Sequence, residues 1–382
     1  MLLKNANIIF ENEIVKCNCQ IADGKIVKIS QDDIVDSEIV DCEGLFLSPG
    51  FIDLHVHGGG GYSFMDENPD NIKKAAHAHA LHGTTGILPT MLSSPEVTLI
   101  KCADRIASVS NDFANSGILG VHFEGPYLSP AMSGAQSDDS IFPVNANSPL
   151  LSVQNLKMIT MAPELQNAQT LAKQFAEKGV TVAVGHTNAT FEETESAFDN
   201  GFSDFTHIYN ASSSLHKEGA FRIAGAVEAA LTNDKCTVQV IGDLHHLPLG
   251  LVRLIYKCKG ADKAYFITDG LEFSAADLTE GERVIQANGV PAVYTNGVMM
   301  TGDLSRLAGS TSSMDTILRN AVKNVGIPLT DAVKMVSSTP AKVISIDDKK
   351  GYIKENYDAD LVLFDEEFNI KKIMVKGKFI KK

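Results

Sequence analysis

The sequence predicts an α/β protein: a (β/α)8 barrel with a small β-sandwich domain built from both ends of the chain. Three observations predict it. Eight short, apolar, β-branched runs recur through the middle of the chain, most of them separated by stretches of helical period. The two ends instead carry short alternating runs broken by turn signals. Five of the eight central runs end at a residue able to bind a metal: His55 with His57, Glu124, His186, His207 and Asp269.

Taken in order, the N-terminal stretch CQIADGKIVKIS has the hairpin signal Asp23-Gly24. The first central run, LSPGFIDLHVH, closes on a His-x-His pair, and the period of two along a strand turns His55 and His57 the same way. TGILPTM follows at 85–91, then GILGVHFE ending at Glu124, LKMITMA at 156–162 and VTVAVGH ending at His186. FSDFTH ends at His207, TVQVIG occupies 237–242, and AYFITD ends at Asp269. Helical periodicity spans 68–81, 96–108, 167–177, 190–198 and 247–258, with Asn188 or Thr190 as a cap and one helix ending before Gly179. Strands alternating with helices predict a parallel sheet, and eight units predict its closure. Beyond the eighth run come 302–308 and a helix over 309–324 beginning near Ser310 or Thr311, which would cap it. The C-terminal stretch YDADLVLFDEEFNIKKIMVKGKFIKK turns at Lys376-Gly377 or Gly377-Lys378. The division expected is 1–50 plus 345–382 for the β domain and 51–344 for the barrel.

Size and composition agree. A chain of 382 residues accommodates a barrel of roughly 250 residues and a small second domain. No apolar run approaches the roughly 20 residues of a membrane helix, and the N-terminus lacks a signal-peptide core. Six cysteines without C-x-x-C spacing read as free thiols of a cytoplasmic protein. A formal charge of −14 argues against nucleic acid or an acidic membrane as partner.

Ligands at the C-terminal ends of successive strands are how such a barrel builds an active site. Imidazoles and carboxylates in this arrangement predict a divalent metal and hydrolysis of an unreactive bond. The ion makes water acidic at about pH 7 and polarises a carbonyl, and a neighbouring carboxylate carries the proton. Asp269 has the type and place for that task. The glycines at 58–61 are no phosphate loop, since no Gly-Lys-Ser/Thr follows. His77, His79 and His82 on the first helix read as packing or solvated side chains, and Cys17 and Cys19 as ordinary strand residues. His122 shares a face with Glu124 and belongs to the layer beneath it.

PGFIDLHVHG at 49–58, HFEGPYLSPAMSGAQ at 122–136, GHTNA at 185–189, THIYNA at 206–211, ITDG at 267–270 and LAGS at 307–310 resemble the N-acetylglucosamine-6-phosphate deacetylase family of the amidohydrolase superfamily. The resemblance covers nearly the whole chain. It implies a homodimeric barrel enzyme that removes acetate from a phosphorylated amino sugar. It also implies that Glu124, His186 and His207 hold a principal zinc or iron ion and that Asp269 is the acid/base. A second ion would use His55, His57, the shared Glu124 and Asp269. The substrate would meet Ala135, Gln136, Asn210, Ala211, His245 and the backbone of Leu307, Ala308 and Gly309.

Two positions depart from the family. Gln136 stands where a substrate-contacting histidine is usual, and NASSSLHKEGAFRIAG lacks the phosphate-binding arginine. Lys217 or Arg222 is the available substitute, although a lysine offers a point charge without the bidentate fork. Three readings follow: a deacetylase of amino sugar phosphates, a hydrolase of another N-acyl compound, phosphorylated or not, and a metal-binding scaffold without turnover. The full ligand set and Asp269 argue against the last.

Overall fold

Eight parallel strands, each buried along nearly its whole length, form the centre of the molecule. We describe it from a computed structural model covering residues 1–110, 117–285, 291–305 and 307–380. The barrel strands are Phe51–Val56, Thr84–Met91, Val121–Glu124, Leu156–Met161, Thr181–Val184, Asp204–Phe205, Thr237–Ile241 and Ala264–Ile267. They pair side by side in chain order. The ring closes where Val56 bridges Gly270 and the Asp269 amide donates to the His55 carbonyl at 2.9 Å. Burial on both faces is why these strands read as continuous apolar runs in the sequence. All eight runs fall where they were expected, and the candidate ligands lie at or just past the strand ends.

Helices Pro69–Ala80, Glu96–Val109, Ala168–Glu177, Phe191–Phe198, Ala226–Thr232 and Leu249–Lys259 alternate with the strands. The fourth of these starts on a capping box: Thr190 Oγ1 accepts from the Glu193 amide at 3.1 Å, and the Glu193 carboxylate accepts from the Thr190 amide at 2.8 Å.

The helix after the eighth strand departs from expectation. It runs over Met314–Arg319 from a Ser313 cap position and widens into a further turn at Asn320–Val325. Ser310 is therefore no cap. It bridges Gly270 along the closing seam, and its Oγ accepts from the Ser312 amide at 3.2 Å, ahead of the helix. Gly309 before it has φ +105°, and a Cβ there would lie 2.4 Å from Leu271, so both conformation and space demand glycine.

Two pieces are additions to the sequence reading. Strands Arg283–Ile285, Pro291–Thr295 and Val298–Thr301 form an antiparallel ribbon after the eighth strand. Its Asn296-Gly297 turn has φ +52° and +81°. Ala308 pairs with Met299 beside it, while Arg306 lies outside the described residues. A hairpin of His216–Glu218 and Phe221–Ile223 projects after the sixth strand.

The chain ends meet in a second eight-stranded sheet. Phe46–Pro49 from the N-terminal part pairs antiparallel with Leu361–Phe364 from the C-terminal part. The Asp23-Gly24 and Lys376-Gly377 turns both have positive φ at each residue. The sheet curls so that the Ile26 amide donates to the Tyr357 carbonyl at 2.9 Å, enclosing a core of Leu3, Ile8, Ile26, Leu47, Leu361 and Met374. On this sheet we base the proposed division into 1–50 plus 345–382 and 51–344. Among the described residues no helix is long and apolar enough to cross a membrane.

Candidate metal centre

Six side chains converge at the C-terminal mouth of the barrel. Glu124 Oε1 lies 2.8 Å from His207 Nε2 and 3.0 Å from His186 Nε2, and these two nitrogens are 3.2 Å apart. On the other side His55 Nε2 and His57 Nε2 are 3.2 Å apart and face Asp269 Oδ1 at 3.4 and 3.3 Å. Glu124 joins the halves, with Oε1 3.5 Å from His55 and Oε2 3.5 Å from His57. His186, His207 and Asp269 have φ of +47°, +25° and +48°. Non-glycine residues in this region cost about 1–3 kcal/mol each, and such strain gathers at functional sites.

The outward nitrogens fix what the inward ones offer. His57 Nδ1 donates to the Thr90 carbonyl at 3.1 Å, and His186 Nδ1 to the Met132 carbonyl at 3.0 Å. A carbonyl only accepts, so each Nδ1 carries hydrogen, and in the neutral ring each Nε2 turns a lone pair inward. His55 Nδ1 is 2.9 Å from Gln239 Oε1. Every ion pair of Glu124 and Asp269 among the described residues is with an imidazole. Burial opposes charge on Glu124, but His55 and His186 hold its carboxyl well below the usual range. Burial likewise opposes the Asp269 carboxylate, and His55 and His57 lower it. Burial disfavours the His55 imidazolium, yet Asp269 and Glu124 outweigh it and raise its pKa to about 9.

With its inward protons removed the site is rich in lone pairs, and among the described residues no ammonium or guanidinium pairs with its carboxylates. Ligands about 2.0–2.1 Å from a tetrahedral ion stand roughly 3.3 Å from one another. The observed separations of 2.8–3.5 Å suit that spacing. The donor set therefore fits one ion among Glu124, His186 and His207, and another among His55, His57, Asp269 and Glu124.

Gln136 is buried and turned into the centre. Its Nε2 donates to Glu124 Oε2 at 2.6 Å, and its Oε1 accepts from the Ser93 amide at 2.9 Å. Ala135 beside it is exposed, and Gly134 packs against His186 and Ala211. Asn210 folds onto the His207 carbonyl at 3.2 Å. His245 is exposed on a cavity of about 460 Å³ lined also by Asp243, Tyr294, Gly297 and Thr311, with the ribbon turn at Gly297 packed over its ring. Leu307, Ala308 and Gly309 run beside that ribbon. Lys217 and Arg222 face each other across the exposed hairpin and touch none of the six converging side chains.

His122 lies beneath, donating from Nδ1 to the Leu54 carbonyl at 3.0 Å with its ring 4.7 Å from that of His55. His79 is buried against the Gly58 carbonyl at 2.8 Å, and His82 pairs with Asp315 at 3.1 Å. Gln239, Asp204, Tyr265 and Ser93 were missed by the sequence reading; strand alternation bears on the first three, and Ser93 lies in the loop after the second strand.

An amidohydrolase family model matches residues 46–380. An N-acetylglucosamine-6-phosphate deacetylase of Lysinibacillus sphaericus is 32% identical over 93% of this chain and 91% of its own. An N-acetylgalactosamine-6-phosphate deacetylase of Escherichia coli O157:H7 is 30% identical over 94% and 93%. The crystal structure of N-acetylglucosamine-6-phosphate deacetylase from Pasteurella multocida superposes with a TM-score of 0.90 at 29% identity, covering 100% of this chain and 99% of that one. A mutant of the Mycobacterium smegmatis enzyme in complex with N-acetyl-D-glucosamine-6-phosphate superposes with a TM-score of 0.89 at 25% identity, covering 99% and 98%.

Proposed function

The chain belongs to the amidohydrolase family, among its amino sugar phosphate deacetylases, and on that premise we propose that it cleaves the N-acetyl group of N-acetylglucosamine 6-phosphate or a closely related amino sugar phosphate. The products are acetate and the free amino sugar phosphate. The observation that carries this reading is the convergence of four imidazole Nε2 atoms on Glu124 and Asp269 at the barrel mouth.

A zinc or iron ion bound there supplies Lewis acidity, making water acidic near pH 7 and drawing charge from the amide carbonyl. Glu124, His186 and His207 are the residues to hold the principal ion, and His55 and His57 a second. Asp269 carries the proton. Its side chain is 20% exposed where that of Glu124 is 3% exposed, so it reaches the side from which substrate comes. Held ionised by the neighbouring imidazoles, it can take a proton from the attacking water. It then gives that proton to the sugar nitrogen as the C–N bond breaks.

Gln136 braces Glu124 from beside the substrate path. Anion recognition falls to His245 and to Lys217 or Arg222, in place of an aligned arginine. The absence of that arginine also favours a second reading, an unphosphorylated N-acyl substrate. A deacetylation panel decides: phosphorylated and free N-acetyl-glucosamine, -galactosamine and -mannosamine, with acetate release measured for each. Preference for a phosphorylated sugar supports the first reading, and preference for a free sugar replaces it with the second. The reading carries with it a homodimer and a reducing, cytoplasmic setting for the six free cysteines.

A further inference from the structure

His57 and His186 are each anchored on a backbone carbonyl, which can only accept. His55 alone of these three is anchored on a side-chain amide, which has a donor end and an acceptor end. Were the Gln239 amide turned over, its NH₂ would face His55 Nδ1 and select the tautomer with hydrogen on Nε2. That tautomer has no lone pair to offer the centre.

What decides the amide lies one strand away. Gln239 Nε2 donates to Asp204 Oδ2 at 2.8 Å, and the same oxygen accepts from the Tyr265 hydroxyl at 2.8 Å. Asp204 Oδ1 accepts from Thr237 Oγ1 at 2.5 Å. With donors already on both oxygens, the carboxylate takes the NH₂ end of the glutamine and leaves the oxygen for His55. Asp204, Gln239, Tyr265 and His55 are all fully buried, and they come from the sixth, seventh, eighth and first strands. Gln239 and Tyr265 are register partners, so the chain of bonds runs level around the closing side of the barrel.

We propose that Gln239, oriented by Asp204 and Tyr265, is a positioning residue that keeps the His55 Nε2 lone pair toward the centre and so governs loading of the second ion position. The inference rests on the reading of this centre as a metal site. Its alternative is that the network only fills the barrel interior. A filler would affect stability alone, whereas a positioning residue acts on one ion and not on the other.

The test is calorimetric titration of metal-stripped full-length protein with zinc. Gln239→Met keeps the volume and removes the amide, and Gln239→Asn keeps the amide but shortens its reach. In both, the second ion is expected to bind about 10- to 100-fold more weakly, the usual effect of losing a ligand's supporting partner, with the first ion unchanged. Gln239→Glu, which retains an acceptor oxygen for His55, is expected to keep the second ion. Wild-type affinity for the second ion in either folded removal variant overturns the proposal. So does loss of the second ion from folded Gln239→Glu, or a wild-type chain that takes a single ion. Ion binding is measured without substrate, so failure here is distinct from failure of the deacetylase reading, which would appear as absent acetate release from loaded protein.

Discussion

At the joint between the N- and C-terminal parts of the terminal domain, the buried Lys350 ammonium lies 2.9 Å from Asp358 and against Asp360. Lys25 reaches Asp358 from the other side at 2.8 Å, and the Lys376 amide donates to Asp360 at 2.7 Å. At the barrel mouth Glu124 and Asp269 are gathered just as tightly, but around imidazoles and, among the described residues, with no lysine or arginine as ion-pair partner. Both clusters place charge out of water, which is costly unless compensated. The joint carries its own cations and is complete as a structural clasp. The mouth leaves its negative charge and lone pairs to protons or to a guest ion. Compensation by the chain itself marks structure, and its absence marks a binding site.

The largest effect that could break this comparison is the loss of a mouth ligand. His186→Ala leaves Glu124 and His207 unable to satisfy the principal ion, and elemental analysis should find that ion missing and activity lost with it. Wild-type metal content in the variant would remove His186 from the ligand set.

Next comes Asp269→Asn, which keeps size and an oxygen but cannot take a proton. Turnover should fall by at least about 10²-fold while the principal ion stays bound. Near-normal kcat in fully metallated variant would assign the proton transfer elsewhere.

Smaller effects are expected where the substrate's anion is met. Lys217→Ala, Arg222→Ala and His245→Ala, assayed on paired phosphorylated and free sugars, should include at least one variant losing roughly ten- to a hundred-fold in kcat/KM on the phosphorylated sugar only.

The joint sharpens the contrast from the other side. Lys350→Met leaves Asp358 and Asp360 without their buried cation and should cost about 3–5 kcal/mol of stability, read by denaturant unfolding. Metal content and turnover of the folded variant should not change. Burial opposes the Lys350 charge, but Asp360 outweighs it and raises its pKa above the ordinary value. Burial pushes Asp358 up, while Lys25 and Lys350 bring it below its ordinary 3.8. The lysine's contribution is therefore complete below its ordinary value of about 10.4 and is lost as pH rises through the raised one. The aspartate's is complete above its ordinary value and is lost as pH falls through the lowered one. The difference between Lys350→Met and wild type should thus stay level between about pH 5 and 9.

Much of this was legible in the sequence because of burial. Strands covered on both faces must be apolar throughout, so all eight announced themselves, and the ligands followed at their ends. The ribbon over 283–301 was harder to read, since short half-exposed strands have no such pattern, although the Asn296-Gly297 pair was a hairpin signal in plain view. Ser310 and Ser313 are equally good caps on composition, and pairing of Ser310 with Gly270 decided between them. Gln136 was found by position, but its direction toward Glu124 depends on the Ser93 amide, 43 residues away. Asp204, Gln239 and Tyr265 are polar residues inside otherwise apolar strands. Their meaning appears only when the sixth, seventh, eighth and first strands stand side by side.

One measurement tests the central claim most directly: zinc added stepwise to metal-stripped protein, with bound ion and acetate release from N-acetylglucosamine 6-phosphate followed together. Acetate release is predicted to be absent from the stripped chain and to rise with occupancy of the Glu124, His186 and His207 position. Full turnover without bound metal, or a fully loaded protein that releases no acetate from any N-acetyl amino sugar phosphate, would contradict it.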